Sequence, residues 1–242
     1  MGTNLKTITK VLLLGVIAIT PFVKLSFLYF PFVSGRVYIF RLLVALAFFF
    51  WMSFIIQDSR FKSRAWMGEA GEENEVLCDL QDSRFIFKNI LVAALILFFL
   101  AQGLTAILGV DPVFSFFSSI SRSDGVLQYG FWVLYFMMLI SVFRTEQDWK
   151  ILFSVFTITA FLISLFAWLG FPPEQEIYGN LFGNPAYFSA FLIFAIGFSA
   201  LAVQRKFFNN LLLKNLFLAL TLFFAVTLIF AHVRGALIGL VL

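Results

Sequence analysis

The chain has 242 residues, of which 62% are hydrophobic and only 12% are charged, and phenylalanine alone occurs 36 times. A soluble domain of this length carries about a quarter charged residues, so the composition excludes an ordinary soluble protein and indicates an integral membrane protein. The formal net charge of +4 reflects an uneven placement of basic residues about a membrane, and nucleic-acid binding is not indicated.

Apolar runs long enough to cross a hydrocarbon core, ~20 residues for ~30 Å, occur about seven times. They lie near 9–31, 37–56, 88–109, 125–143, 150–170, 186–203 and 212–231, and residues 235–242 open an eighth. Runs of this length favour helices over barrel strands, which would alternate over ~10 residues. The predicted fold is therefore all-α: a polytopic transmembrane helical bundle that forms a single transmembrane domain over residues 1–242.

Basic residues concentrate on alternate loops, as the positive-inside rule predicts for cytoplasmic segments. With the N-terminus in the cytoplasm, those segments hold 12 of the 17 basic residues: Lys6, Lys10, Arg60, Lys62, Arg64, Arg84, Lys88, Arg144, Lys150, Arg205, Lys206 and Lys214. The other five, at or near the opposite face, are Lys24, Arg36, Arg41, Arg122 and Arg234. We therefore predict a cytoplasmic N-terminus and a cytoplasmic loop at about 57–87.

The loop after the third predicted span, "GVDPVFSFFSSISRSDG" at 109–125, carries a helical pattern. Val113, Phe116, Phe117 and Ile120 stand at i, i+3, i+4 and i+7, with serines at other positions. This spacing is typical of a short amphipathic helix that lies in the membrane interface. Such a helix would bring three residues to the mouth of the fourth span: Arg122, Asp124 and Gly125.

The next outward loop, 170–188, is rich in turn-forming residues. Pro172 and Pro173 are expected to stop the fifth helix, because proline cannot continue one. The segments 179–180 and 183–185 combine glycine with asparagine, and both residues tolerate a positive φ. We expect Asn184 to cap the sixth helix, with Pro185 at its first position.

Arg234 stands between two strongly apolar runs, in the segment "AHVRGALIGL" at 231–240. It is either an interfacial arginine whose guanidinium reaches the headgroup layer or a ligand for an anion. Gly235 leaves room for a ligand, and an arginine at the entrance of a helix is a natural site for phosphate or carboxylate. His232, the only histidine, is either a polar residue at the headgroup boundary or a general base.

Further guanidinium groups are predicted on the same side of the membrane. Arg36 and Arg41 begin the second span, and Arg122 precedes the fourth, where a plain turn pair with Asp124 is the alternative. Several outward arginines favour a polyanionic headgroup such as a diphosphate, since arginine binds such groups in a bidentate manner. With one cysteine and one histidine in the chain, no metal site is predicted, and no cofactor is implied.

Four segments, which we call the motif segments, occur in a characteristic order: "FPFVSGRVYIFR" at 30–41, "GVDPVFSFFSSISRSDG" at 109–125, "GNPAYFSAFL" at 183–192 and "HVRGALIGL" at 232–240. Together they resemble the N-terminal half of the O-antigen ligase and O-antigen polymerase superfamily. The resemblance covers about residues 20–242 outside the cytoplasmic loop.

This resemblance implies a glycosyltransferase of lipopolysaccharide biosynthesis in the bacterial inner membrane. Such an enzyme acts without a metal or a cofactor. Such an enzyme moves a glycan from an undecaprenyl-diphosphate carrier to lipid A–core or another acceptor at the periplasmic face. The arginine of the family's S/T-R-G motif matches Arg234, and the arginine before (M/S)-D-G matches Arg122; both would engage the lipid diphosphate. The residues expected in supporting roles are Arg36, Arg41, Asp124, Asn184, Tyr187, His232 and Gly235.

The sequence departs from the family pattern in two places. Where the family has serine or threonine near the arginine, this chain has "AHV", so His232 is a local variation. Family members also continue into a large periplasmic loop with a catalytic histidine, whereas this sequence stops at Leu242. We therefore expect the catalytic histidine to lie beyond the chain end, and the chain to be one part of a longer enzyme that is inactive alone.

Three alternatives stay open from the sequence. A repeat-unit polymerase shares the motifs of a ligase. A transporter or lipid-glycan flippase would place ionisable groups at mid-bilayer or break helices in paired positions, and the span centres here hold almost none apart from Lys24. The third alternative is a structural membrane anchor, but this function does not explain the ordered motifs in the outward segments.

Overall fold

The computed structural model describes residues 2–25, 33–66, 90–119, 124–170, 180–205, 207–208 and 210–241, and every regular element in these ranges is helical. The α-helices are α1 (Gly2–Ile19), α2 (Ser34–Trp66), α3 (Ile90–Leu108), α4 (Pro112–Phe117), α5 (Val126–Val142), α6 (Glu146–Trp168), α7 (Pro185–Gln204), α8 (Leu211–Phe230) and α9 (Arg234–Val241). Two 3₁₀ turns, Thr20–Phe22 and Asn180–Phe182, complete the set.

Six stretches in the described ranges are long and apolar enough to cross a membrane: Asn4–Phe22, Ser34–Gln57, Ile90–Leu108, Glu146–Trp168, Pro185–Gln204 and Leu211–Phe230. The predicted span at 125–143 is also helical, but α5 has only 17 residues. These helices make the chain a multi-pass membrane protein. The count of seven spans and the cytoplasmic N-terminus stay predictions.

The first predicted span is displaced toward the N-terminus. It was expected at 9–31, but α1 begins at Gly2, ends at Ile19 and passes into the 3₁₀ turn Thr20–Phe22. Pro21 explains this end, because its ring cannot continue an α-helix and its nitrogen carries no N–H. Residues 26–32 lie outside the described part of the chain.

The predicted cytoplasmic loop begins as helix. Helix α2 continues to Trp66, ten residues past the predicted end of the second span at 56. Residues 57–66 contain neither glycine nor proline, so nothing in the backbone stops the helix where the apolar run stops. The rest of that loop, 67–89, lies outside the described residues.

The chain forms two compact units. The first unit comprises Met1–Val16 and Val37–Arg144, and the second comprises Ile17–Arg36 and Thr145–Leu242. Helices α1 and α2 therefore each contribute to both. The expectation of a single transmembrane domain stays a prediction.

The first unit is joined by side-chain hydrogen bonds between helices as well as by apolar packing. The hydroxyl of Tyr135 in α5 donates to the carbonyl of Leu13 in α1 at 3.2 Å. The indole nitrogen of Trp51 in α2 donates to the hydroxyl of Ser141 in α5 at 2.7 Å. Helix α5 is thus tied to both α1 and α2 despite its short apolar length.

The second unit is built on α6, α7 and α8, with α9 packed against α7 and α8. Fully buried alanines on α6 and α7, Ala160 and Ala195, have almost no side-chain bulk and let the helices approach closely. Two polar contacts cross the helices: Thr221 with Ser199 at 2.8 Å, and the indole of Trp168 with Thr227 at 3.0 Å. This core supports the turns at 180–183 and 231–233.

Candidate functional site

The turn from α8 to α9 depends on His232. This residue follows the C-cap Ala231 and has φ 54, the left-handed conformation that commonly ends a helix. Its N–H donates to the carbonyl of Ile229, three residues earlier, at 3.2 Å. This is the bond expected from a left-handed residue that follows a helix C-cap. The imidazole is exposed. His232 therefore sets the direction in which the chain leaves α8.

Arg234 is the first residue of α9, and its side chain is exposed. The hydrogen bonds of this helix begin at the carbonyl of Val233, which accepts from the N–H groups of Ala236 and Leu237 at 3.1 and 3.2 Å. The N–H groups of Arg234 and Gly235 precede the first donor of this helix, Ala236, and therefore have no acceptor in a preceding helical turn. Arg234 is thus placed at the positive end of a helix dipole, as the sequence predicted.

Gly235 faces open space. A Cβ built at this position meets no atom within 4 Å, so packing inside the second unit does not require glycine there. Glycine also costs a helix about 1 kcal/mol relative to alanine. The exposed backbone beside Arg234 is accessible to a ligand, and neither packing nor helix propensity accounts for this choice of residue.

The Asn180–Phe182 turn leads into α7 as expected from its sequence. Gly183 has φ 67, in the left-handed region, and the side chain of Asn184 accepts a hydrogen bond from the N–H of Ala186 at 2.8 Å. Pro185 is the first residue of α7. The predicted cap is confirmed, and Tyr187 stands on the first turn of this helix with 60% of its surface exposed.

Arg36 contacts this same turn from α2. Its guanidinium donates through Nη2 to the carbonyl oxygen of Leu181 and lies over the ring of Phe182, 4.8 Å from the ring centroid. The Nε atom is buried and makes no hydrogen bond within the described part of the chain. The guanidinium of Arg36 therefore contacts the protein itself and does not extend only into solvent or lipid.

One apolar cluster connects these features in the second unit. Leu181 and Phe188, beside the start of α7, belong to the same buried cluster as Ala231 and Ala236, which flank His232 and Arg234. Phe182 packs against this cluster. The second unit thus assembles parts of three motif segments: 33–36, 183–192 and 232–240.

Arg41 has a different environment, in the first unit. Its Nε donates to the side-chain oxygen of Gln128 on α5 at 2.9 Å, and its guanidinium lies 5.9 Å from the ring centroid of Phe131. Gln128 is only 4% exposed. This pairing satisfies a buried amide oxygen, so Arg41 has a structural role in addition to any role toward a ligand.

The remaining motif segment also lies in the first unit. Asp111 caps the short helix α4 by accepting from the N–H of Phe114 at 2.9 Å, and this helix covers most of the stretch predicted at 113–120. The hydroxyl of Ser118 donates to the carboxylate of Asp124 at 2.6 Å. Gly125 is the N-cap of α5. Arg122 lies outside the described residues. The expectation that it engages the lipid diphosphate together with Arg234 therefore stays a prediction.

Several contacts of these residues were not expected from the sequence. The sequence predicts no role for Leu181 or Phe182, yet both contact Arg36. Gln128 was not singled out, although a lone amide in an apolar span is a signal for a buried polar partner. Among the described residues, no group of three or more metal-ligating side chains could hold a metal ion.

Comparison with protein-family models, with curated proteins and with solved structures finds no match for this chain.

Proposed function

We propose that the protein is a membrane glycosyltransferase that moves a glycan from an undecaprenyl-diphosphate carrier to lipid A–core or another acceptor. The reaction is placed at the periplasmic face of a bacterial inner membrane, as in an O-antigen ligase. The proposal rests on the resemblance of the four motif segments, because the comparisons with known proteins give no family.

One structural observation supports the proposal most directly: an exposed arginine begins a helix whose second residue is a glycine facing open space. The unpaired N–H groups at a helix start and a guanidinium together suit a phosphate group. A diphosphate offers oxygens to both the side chain of Arg234 and the backbone of Gly235. Residues of 183–192 and 232–240 share one buried cluster, and Arg36 contacts its member Leu181 and the adjoining Phe182, which adds to this support.

The chemistry assigned to Arg234 concerns the leaving group. In the proposed transfer, the bond between the anomeric carbon of the glycan and the diphosphate oxygen breaks. A new bond forms between that carbon and a hydroxyl oxygen of the acceptor, and the hydroxyl proton passes to water. Negative charge develops on the departing diphosphate, and a guanidinium placed there stabilises the transition state. Arg122 is proposed for the same role from the resemblance alone.

The experiment that tests the function uses the complete gene product in proteoliposomes, supplied with an undecaprenyl-diphosphate-linked glycan and lipid A–core. A ligase gives glycan attached to lipid A–core, and Arg234→Ala removes that product while the variant still inserts into the membrane. A longer glycan that stays on the carrier assigns the polymerase alternative instead. If neither product forms but the carrier crosses the bilayer, the protein is a flippase and the proposal fails.

A further inference from the structure

Arg36 joins two parts of the second unit that are far apart in the sequence. It stands near the start of α2, and its partners Leu181 and Phe182 form the second 3₁₀ turn. The guanidinium donates to the Leu181 carbonyl and lies 4.8 Å from the centroid of the Phe182 ring. These contacts use one edge and one face of the guanidinium.

Helix energetics do not explain an arginine at this place. The N-terminal turn of a helix carries partial positive charge, which disfavours a cation there. Arginine is, however, suited to a site that needs both a hydrogen-bond donor and a flat cation against an aromatic ring. The contact with the turn is therefore the physical reason for Arg36.

The start of α2 is itself held against the chain that precedes it. A Cβ at Gly35 would come within 3.0 Å of the Leu25 side chain, so the backbone next to Arg36 packs closely on that residue. The first 3₁₀ turn, Thr20–Phe22, in turn contacts the second, Asn180–Phe182. Arg36 is thus anchored at its backbone and can hold the turn at its guanidinium.

The Asn180–Phe182 turn contacts the start of α7, so a constraint on the turn also constrains this part of the helix. Leu181 is 7% exposed and belongs to the central cluster of the second unit. The ring of Phe182 lies 6.0 Å from that of Phe188 and 5.2 Å from that of Phe191, both on α7. A displacement of the turn would therefore disturb the first two turns of α7.

We infer that Arg36 is a positioning residue: it clamps the Asn180–Phe182 turn and thereby fixes the start of α7, with Asn184 and Tyr187, rather than binding the lipid diphosphate. The consequence for substrate rests on the proposed function, because Asn184 and Tyr187 matter for transfer only if that function holds. The clamp itself is independent of what the protein transfers.

The clamp is tested by cysteine labelling in the full chain reconstituted in lipid. Cys78 is replaced by serine, and a reporter thiol is introduced as Ser189→Cys, near the start of α7, where the native side chain is 0% exposed. A maleimide then reacts only when this region opens. A second reporter, Ser199→Cys, is equally buried but lies farther along α7.

We expect Arg36→Ala to raise the labelling rate at 189 about fivefold, the factor that corresponds to about 1 kcal/mol of lost stabilisation, and to leave the rate at 199 unchanged. Phe182→Leu removes the guanidinium–ring contact together with the ring contacts to Phe188 and Phe191, and should also raise the labelling rate at 189. Because both changes remove the contact between the guanidinium and the ring, the acceleration in the double variant should be smaller than the product of the two single accelerations. Arg41→Ala, which removes an arginine of α2 that contacts Gln128, serves as the matched control and should leave labelling at 189 unchanged.

Three results would overturn the clamp: no change at 189 in either variant, effects that add in the double variant, or equal acceleration at 189 and 199. The last would mean a general loss of stability. Arg36→Lys, which keeps a hydrogen-bond donor but not the flat guanidinium, keeps the test decisive if Arg36→Ala fails to fold, and should also raise the labelling rate at 189. Accelerated labelling at 189 in a protein that binds no lipid diphosphate leaves the clamp standing and removes the proposed function.

Discussion

Gly125 packs so closely against Phe116 that a Cβ at position 125 would overlap the Phe116 carbonyl and come within 2.9 Å of the Ser115 carbonyl oxygen. Its φ of −71 is one that any residue adopts, so lack of space, rather than backbone conformation, requires glycine. The contact brings the end of α4 against the start of α5. This relationship explains why a glycine stands at the N-cap of α5, where serine or aspartate is otherwise preferred.

Gly125→Ala should lower the free energy of unfolding by about 1–3 kcal/mol, because backbone atoms must move to admit the methyl group. Thermal unfolding in detergent measures the change. Gly103→Ala is the matched control: this glycine lies within α3 with nothing within 4 Å of a Cβ. Alanine should there leave stability unchanged or raise it by up to about 1 kcal/mol. Equal losses from the two substitutions would contradict the close approach at Gly125.

His232 should tolerate glycine and reject a β-branched residue. The left-handed conformation at φ 54 is open to glycine but costs a β-branched side chain about 1–2 kcal/mol. His232→Gly should therefore keep thermal stability within about 1 kcal/mol of the wild type, while His232→Val lowers it. If both variants unfold at the same temperature, the helix end at His232 does not depend on that conformation.

Ser199 and Thr221 should be coupled across α7 and α8. Their hydroxyl groups lie 2.8 Å apart, and interhelical hydrogen bonds of this kind contribute about 0.6 kcal/mol on average and up to about 1.7 kcal/mol in membrane proteins. We expect Ser199→Ala and Thr221→Val each to destabilise the protein within that range, and the double variant to lose less than their sum. Ser53→Ala controls for the loss of a hydroxyl, because the Ser53 hydroxyl bonds the Phe49 carbonyl of its own helix. A fully additive double variant would show that the two hydroxyl groups do not interact.

Gly235→Ala should separate folding from ligand binding. Nothing lies within 4 Å of a Cβ at this position, so stability should be unchanged or higher. A methyl group would nevertheless obstruct the approach of a diphosphate to the backbone, and binding of undecaprenyl diphosphate in nanodiscs should weaken. Wild-type affinity in this variant would mean that the headgroup does not approach Gly235.

Local features of this fold follow from local sequence, whereas distant contacts do not. The Asn184 cap, Pro185 at the first position of α7 and the positive φ of Gly183 were all predictable, because each depends on a few neighbouring residues. The partner of Arg36 could not be predicted, since Leu181 is 145 positions away and its carbonyl is like any other in the chain. Hydropathy likewise located the apolar stretches but not the ends of the helices.

Two differences illustrate that limit. The apolar run at 9–31 contains Pro21, whose backbone chemistry ends α1 at Ile19, although hydropathy continues past it. Helix α2, by contrast, continues past the end of its apolar run to Trp66, because residues 57–66 contain no glycine or proline that would end it. The pairing of Arg41 with Gln128 also required the packing of α2 near α5, which periodicity alone does not supply.

An affinity measurement tests the proposal that Arg234 binds a lipid diphosphate. Undecaprenyl diphosphate and undecaprenol, which share the polyprenyl chain but differ in the headgroup, are titrated into the protein in nanodiscs. We expect tighter binding of the diphosphate and a loss of about tenfold or more in Arg234→Ala, the factor that corresponds to one charge-assisted hydrogen-bonding group. Arg205→Ala, an exposed arginine at the C-cap of α7, should bind as the wild type does. Equal affinity for the two lipids, or wild-type affinity in Arg234→Ala, would contradict the claim.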